Sequence, residues 1–273
     1  MHDRIEAIFS IHDSGVFHMR KNIKIVVSYD GTRYLGWQRL SGKQKSRSIQ
    51  GYLEEVLEQV VGCKIRLSGS GRTDAGVHAL GQVANFFLPS ALFHCDTTLQ
   101  CNQWKQECNR QLPEDIKIQT MEEVPTDFHS RYSAVRKTYE YRIDMGERPC
   151  VFQRKYALWF PEKLNVDKMR QAADCIVGTH DFAAFSTGGK EKKDTVRTIY
   201  ALDISKHGQQ ILISVCGDGF LYNMVRIIVG TLLMVGNGQG SCEQVMEALK
   251  SRNRQLAGKT VSSVGLFLKK VEY

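Results

Sequence analysis

Apolar positions along the chain fall into two successive runs of similar order. Ile23 to Tyr29 is rich in β-branched residues and reads as a strand that turns at Asp30-Gly31. Ser48 has the side chain to cap a helix whose apolar residues Ile49, Tyr52, Leu53, Val56, Leu57 and Val60 recur at helical steps until Gly62. The first run continues with a short strand over Lys64 to Leu67 and a longer one over Gln82 to Leu88. It closes with a helix marked by Cys101, Trp104, Cys108 and Leu112 and an alternating strand over Ile116 to Met121.

Beyond Pro125 the order repeats. Val135 to Ile143 alternates as a strand, and Val166, Met169, Ala172, Ala173, Ile176 and Val177 mark a helix stopped by Gly178. Two strands flank the His207-Gly208 turn, and a long apolar helix follows Gly217-Asp218-Gly219. Ser241 caps a further helix to about Lys250, and Val264 to Tyr273 is a final strand. The pattern predicts an α+β fold of two ferredoxin-like β-α-β-β-α-β halves. Their antiparallel sheets would lie side by side with a cleft between them. The expected organisation is an N-terminal tail over 1–20, one half over 21–125 and a second over 126–273. The tail has no periodic apolar face and no signal-peptide core.

Composition narrows the partners only partly. A net charge of +8 and a pI near 9.0 favour a polyanion, although membrane binding and plain solubility have the same signature. The eight cysteines include no C-x-x-C pair and no regular spacing, so neither a zinc site nor a disulfide framework is predicted. Free thiols of a cytoplasmic protein are the expectation. The longest apolar run, Ile227 to Val235, is too short to span a bilayer.

One stretch concentrates candidate chemistry: Gly69-Ser70-Gly71-Arg72-Thr73-Asp74-Ala75-Gly76-Val77-His78-Ala79. Its glycines and alanines leave little side-chain bulk, so backbone can turn sharply and approach a ligand around Asp74. Arg72 and Asp74 are one residue apart and can lean to the same side, which would favour the ionised carboxylate. Upstream, Tyr34 and Trp37 follow Arg33 and either stack on RNA bases or complete a core. Lys43, Lys45 and Arg47 form a basic loop that either follows phosphates or is simply solvated.

The string G-R-T-D-A-G-V-H-A followed by Gln82 resembles the catalytic loop of the TruA-type tRNA pseudouridine synthases, in which the aspartate is the nucleophile. Four further stretches share the resemblance. Phe128-His129-Ser130-Arg131-Tyr132-Ser133-Ala134 is similar to F-H-A-R-F-S-A, and Lys137-Thr138-Tyr139-Glu140-Tyr141 to a basic K-x-Y-x-Y strand. Gly178-Thr179-His180-Asp181-Phe182 is similar to a G-x-H-D-F turn, and Gly219-Phe220-Leu221-Tyr222-Asn223-Met224-Val225-Arg226 to G-F-L-x-x-M-V-R. The resemblance covers the chain from about Lys24 to its end. It departs where relatives read A-P-x-x-G-L and this chain has Val261-Ser262-Ser263-Val264-Gly265-Leu266, and in a longer, more basic loop after Trp37.

The resemblance implies isomerisation of uridine to pseudouridine in the anticodon stem-loop of tRNA, with no cofactor and no metal. Asp74 falls on the nucleophile, Arg226 on the arginine that pairs with it, and Tyr139 on the active-site tyrosine that stacks on uracil or relays a proton. Arg72 would meet the RNA backbone or fill the space left by the extruded base. Lys43, Lys45, Arg47, Arg131, Arg136 and Lys137 are expected near the cleft as RNA contacts. A homodimer sharing one tRNA is implied by the resemblance alone. A non-catalytic RNA-binding module is the first alternative, but no K/R-G-F-G-F-V string is present. A phosphate-binding enzyme is the second, and G-x-x-x-x-G-K-S/T is missing.

Overall fold

The computed structural model describes residues 20–42, 47–187 and 194–273. The expected tail up to residue 19, together with Lys43 and Lys45, lies outside the described residues. The first run folds as β1 (Arg20–Tyr29), α1 (Ile49–Val61), β2 (Ser68–Gly69), β3 (His78–Pro89), α2 (Thr97–Gln111) and β4 (Ile116–Val124). The second contains β5 (Arg136–Asp144), β6 (Leu158–Trp159), α3 (Val166–Asp174), β7 (Gly178–Asp181), β8 (Val196–His207) and β9 (Gln210–Gly217). It ends with α4 (Met224–Gly236), α5 (Cys242–Ser251) and β10 (Leu266–Glu272). The α+β class predicted from the pattern is the one that forms.

The two sets of strands merge into one sheet, in the order β4-β1-β3-β10-β5-β9-β8-β7, with β2 on β3 and β6 on β5. The last strand makes the join: β10 runs parallel to β3 and antiparallel to β5. Leu268 lies opposite Ala79 on one side and Tyr139 on the other. The start of β3, and the loop that precedes it, is thereby set beside the middle of β5.

Alternation explains which faces are covered. Ile23, Ile25 and Val27 of β1 are fully buried, while the intervening Lys24 pairs with Glu122 of β4 at 2.7 Å. Fully burying each such aliphatic side chain contributes about 1.5–3 kcal/mol. In β5, Tyr139, Tyr141 and Ile143 are buried on one face, and on the other Glu140 accepts from Arg142 and Lys269, both at 2.9 Å. In α1, Ser48 Oγ accepts from the Gly51 N–H at 3.3 Å and Gly62 ends the helix. In α4, 11 of its 13 residues are buried, so the apolar helix predicted after Gly219 belongs to the core. Among the described residues no helix is long and apolar enough to cross a membrane.

Two expected elements differ. Lys64 to Leu67 is not a strand, because side chains of α1 take the place of a strand partner. Glu58 accepts from the Ile65 N–H at 3.2 Å, Glu54 accepts from the Leu67 N–H at 3.0 Å, and the Gln50 amide donates to the Leu67 carbonyl at 3.0 Å. Only Ser68 and Gly69, just beyond, pair with β3. Conversely, Gly178 to Asp181, expected as a turn, forms the edge strand β7 on β8.

His78 locks the junction between the halves. Its Nδ1 accepts from the Gly31 N–H at 3.1 Å, Nε2–H donates to the Val264 carbonyl at 3.2 Å, and the ring stacks on Phe267 of β10 at 4.6 Å. Burial lowers its pKa against the pull of Asp30, so the ring stays neutral and keeps one nitrogen to accept.

Candidate active site

A cavity of about 1080 Å³ opens where the halves meet. Its walls come from the loop before β3, from Trp37, from Lys137 and Tyr139 of β5, from His129, Arg131 and Tyr132, and from the stretch Phe220 to Arg226 leading into α4.

The loop is fixed on both sides of Asp74. On the entry side, the Ser70 N–H donates to the Val83 carbonyl at 2.7 Å, and the Gln82 amide accepts from Ser70 Oγ at 2.6 Å and donates to the Gly71 carbonyl at 3.0 Å. The Lys137 ammonium donates to the Ser70 carbonyl at 2.7 Å. Directly before Asp74, the Thr73 carbonyl accepts from the Trp37 N–H at 3.0 Å and the Thr73 hydroxyl bonds the Tyr29 hydroxyl at 2.7 Å; beyond it, the Val77 N–H closes a turn onto the Asp74 carbonyl at 3.1 Å. These partners are backbone groups, the buried side chains of Gln82 and Tyr29 and the part-buried Lys137, so the carboxylate is presented on a fixed loop.

Two glycines permit this packing. Gly69 lies against the Trp37 indole, where a Cβ would come within 2.5 Å of Nε1. Gly36 has φ +100° and a Cβ there would sit 2.5 Å from the Thr73 carbonyl oxygen. Gly36→Ala is therefore expected to cost about 1–3 kcal/mol in urea denaturation, from backbone strain and displacement of Thr73, and to lower activity as well because Thr73 carries Asp74.

Asp74 keeps 31% of its side chain exposed, and Arg226 keeps 20%; Arg226 Nη1 stands 3.9 Å from Asp74 Oδ2. Burial raises the Asp74 carboxyl above the ordinary aspartate value, and the Arg226 charge takes back part of that rise. The guanidinium is itself held: Nε donates to the Val261 carbonyl and Nη1 to Asn223 Oδ1, both at 2.7 Å. Tyr139 is buried, edge-on to Phe220 at 5.0 Å. Burial, with Tyr29 and Asp74 adding to it, drives its hydroxyl well above the usual tyrosine range, so the hydroxyl is protonated at neutral pH.

The structure brings together Arg72, Asp74, Arg131, Lys137, Tyr139 and Arg226 on one cavity wall or another. Arg72 is exposed, and the cation that pairs with Asp74 among the described residues is Arg226. Burial lowers the Lys137 pKa, with Arg131 adding repulsion, and its contact to Ser70 gives it a share in shaping the loop. Arg47 lies outside the cavity wall; its carbonyl accepts from the Leu35 N–H at 2.8 Å. Arg136 stacks its guanidinium on Tyr200 at 4.8 Å. Tyr34 and Trp37 are buried, Tyr34 donating to Asp115 at 2.6 Å and Trp37 leaning on Tyr29, so both belong to the core, with Trp37 at its cavity edge.

His129, Tyr132 and Asn223 are among the cavity residues that were given no role from sequence. Tyr132 is 75% exposed at the cavity, its ring 4.5 Å from that of His129. An aromatic beside a histidine and an arginine in one short segment was the available signal. For Asn223 it was an asparagine placed directly before an apolar helix.

A family model described as tRNA pseudouridine synthase matches residues 25–133 and 172–273. A tRNA pseudouridine synthase A of Geobacillus sp. (strain WCH70) is 45% identical over 258 residues, spanning 93% of this chain and 99% of the relative. The protein of that name from Bacillus sp. (strain KSM-64) is 46% identical over 252 residues, spanning 92% and 99%. That of Clostridium kluyveri is 45% identical over 253 residues, spanning 93% and 100%.

Proposed function

Because the chain belongs to the tRNA pseudouridine synthase family, we propose that it isomerises uridine to pseudouridine in the anticodon stem-loop of tRNA, with Asp74 as nucleophile. The observation that carries this reading is the half-buried Asp74 carboxylate on a fixed loop, 3.9 Å from a held arginine in the lining of the same cavity. The cavity is at the upper end of ligand-pocket sizes and has room for an extruded nucleotide with its phosphates.

In the reaction the bond from ribose C1′ to uracil N1 breaks, a bond from C1′ to C5 forms, the C5 proton leaves to solvent and N1 takes one up. The anion of Asp74 either attacks C1′ or adds to C6 of the base, and both routes need it ionised. Arg226 supplies the charge that offsets desolvation. Tyr139 stacks on the uracil, and its protonated hydroxyl serves as a donor. Arg72, exposed beside Asp74, meets the backbone phosphate or occupies the gap left in the RNA stack. Arg131 and Lys137 line the same cavity and favour a polyanion there. Lys43, Lys45 and Arg47 belong to this reading as phosphate contacts, Arg47 from outside the cavity wall. The family resemblance adds a homodimer acting in the cytoplasm, one tRNA contacting both subunits; a monomeric mass by light scattering for fully active protein counts against that part.

The test is to incubate unmodified tRNA with the protein in excess chelator and separate the nucleosides. Conversion of uridine to pseudouridine supports the enzyme, and unchanged uridine with tight binding supports a binding module instead. Binding should also be strongly salt dependent. The logarithm of affinity is expected to fall linearly with that of salt concentration, by roughly 0.7 to 0.9 per phosphate neutralised. A flat dependence in filter binding would remove the basic groove from the account.

A further inference from the structure

Asn223 is built in an unusual way for a residue at the head of a helix. Its backbone is left-handed, φ 61° and ψ 6°, and Arg252 is the other non-glycine residue with positive φ among the described residues. Asparagine tolerates that region better than most residues, yet it is rarely occupied without a local reason, and such conformations gather at functional sites. A residue in this place ordinarily turns its side chain onto the first N–H groups of the helix. Asn223 makes no such capping bond.

Its amide is used elsewhere. Oδ1 accepts from Arg226 Nη1 at 2.7 Å, and Nδ2 donates to Thr187 Oγ1, also at 2.7 Å. With the bond from Arg226 Nε to Val261, the guanidinium is gripped by acceptors from two separate segments. The distance that results, 3.9 Å from Nη1 to Asp74 Oδ2, is beyond a good hydrogen bond but within strong charge attraction. An arginine free to swing would close on the carboxylate as a fork and occupy the lone pairs a nucleophile must offer.

We propose that Asn223 is a positioning residue that holds Arg226 at charge-pairing distance from Asp74 while denying it a direct hydrogen bond, so the carboxylate oxygens stay free for the nucleotide. This rests on Asp74 being the nucleophile. An amide suits the task better than a carboxylate, since Asp at this position would compete with Asp74 for the same cation.

The decisive variant is Asn223→Gly, which adopts the left-handed backbone at no steric cost and deletes only the amide. Thr187→Val keeps the shape of its side chain and removes the outer bond. Single-turnover rate, KM and pH profile are read for both, with melting temperature as a check on folding. Asn223→Gly is expected to lose roughly 10- to 100-fold in rate, as for loss of an outer partner that orients a reactive group, with KM for tRNA within about threefold. Its acid limb should move, because the charged and titratable groups facing Asp74 are Arg226 from α4, Tyr139 from β5 and Arg72 on its own loop, and only Arg226 has been released. Thr187→Val should move the same readings the same way, by less. Asn223→Gly with the parental rate and acid limb would overturn the proposal, as would a loss confined to KM, which would make Asn223 a substrate contact. A loss matched by a large fall in melting temperature with an unmoved acid limb would make it structural. Asp74→Asn assayed alongside separates the two readings: activity retained there removes the nucleophile itself, whereas an inactive Asp74→Asn beside an unaffected Asn223→Gly removes only the positioning role.

Discussion

Asp74→Asn is expected to reduce pseudouridine formation by at least roughly four powers of ten while leaving tRNA affinity within a few fold of the parent. The amide keeps the shape of the side chain but cannot act as an anionic nucleophile, and each tenfold loss corresponds to about 1.4 kcal/mol of barrier. Affinity should survive because phosphate contacts dominate binding and lie with other residues. Removing the negative charge frees Arg226 and favours the polyanion slightly. The fold should not suffer either. Since burial raises the Asp74 pKa in the folded state despite Arg226, its ionised form opposes folding at neutral pH. That penalty is absent below the unfolded pKa and full above the folded one. The variant, which cannot ionise, should therefore melt at or above the parental temperature at neutral pH, and the difference should shrink as pH falls through the folded pKa and vanish below the unfolded one.

Arg226→Gln should lower the rate by roughly two to three powers of ten, the scale on which loss of one preorganised electrostatic partner is felt. The direction of its pH dependence is diagnostic. Arg226 pulls the Asp74 pKa down against burial, so without it the pKa rises further and the acid limb of the rate moves to higher pH. Raising the pH should restore part of the activity of Arg226→Gln and none of that of Asp74→Asn. Arg226→Lys keeps the charge but loses the fork that reaches Val261 and Asn223, and should fall between parent and Arg226→Gln. Single-turnover pH profiles of the three proteins check the order; an acid limb that stays in place in Arg226→Gln would mean that Arg226 acts on the RNA and not on Asp74.

Local signals in the sequence were strong where structure is local. Ser48 and Gly62 bracket α1 because a cap and a stop are properties of a few residues. The alternation of β1 and β5 matches their buried apolar side chains, since the strand period is fixed by the backbone, but gave no sign that Asn22, Glu140 and Asp144 are buried as well. Lys64 to Leu67 was misleading because Gln50, Glu54 and Glu58, on a helix already assigned, satisfy its backbone from outside the segment. No pattern within Leu266 to Glu272 announces that this strand joins both halves, as parallel pairing to β3 depends on residues far away in the chain.

The site was legible to a similar degree. Asp74, Arg226 and Tyr139 are found around one cavity because the strings that carry them are long and specific. Lys137 was expected to face RNA, but its bond to the Ser70 carbonyl arises from the fold and has no sequence signature. The charge pair was open to Arg72 on spacing alone, whereas the geometry places Arg226 there from another half of the molecule. Asn223 escaped notice because a left-handed backbone and a diverted cap are properties of the folded chain.

The claim that the Asp74 carboxylate performs the isomerisation is tested most directly by tritium release from tRNA labelled at uracil C5, under single-turnover conditions, with parent and Asp74→Asn proteins side by side. The account predicts one tritium released per uridine converted by the parent and none above background from folded, tRNA-bound Asp74→Asn. Release by Asp74→Asn at a rate near that of the parent would contradict it.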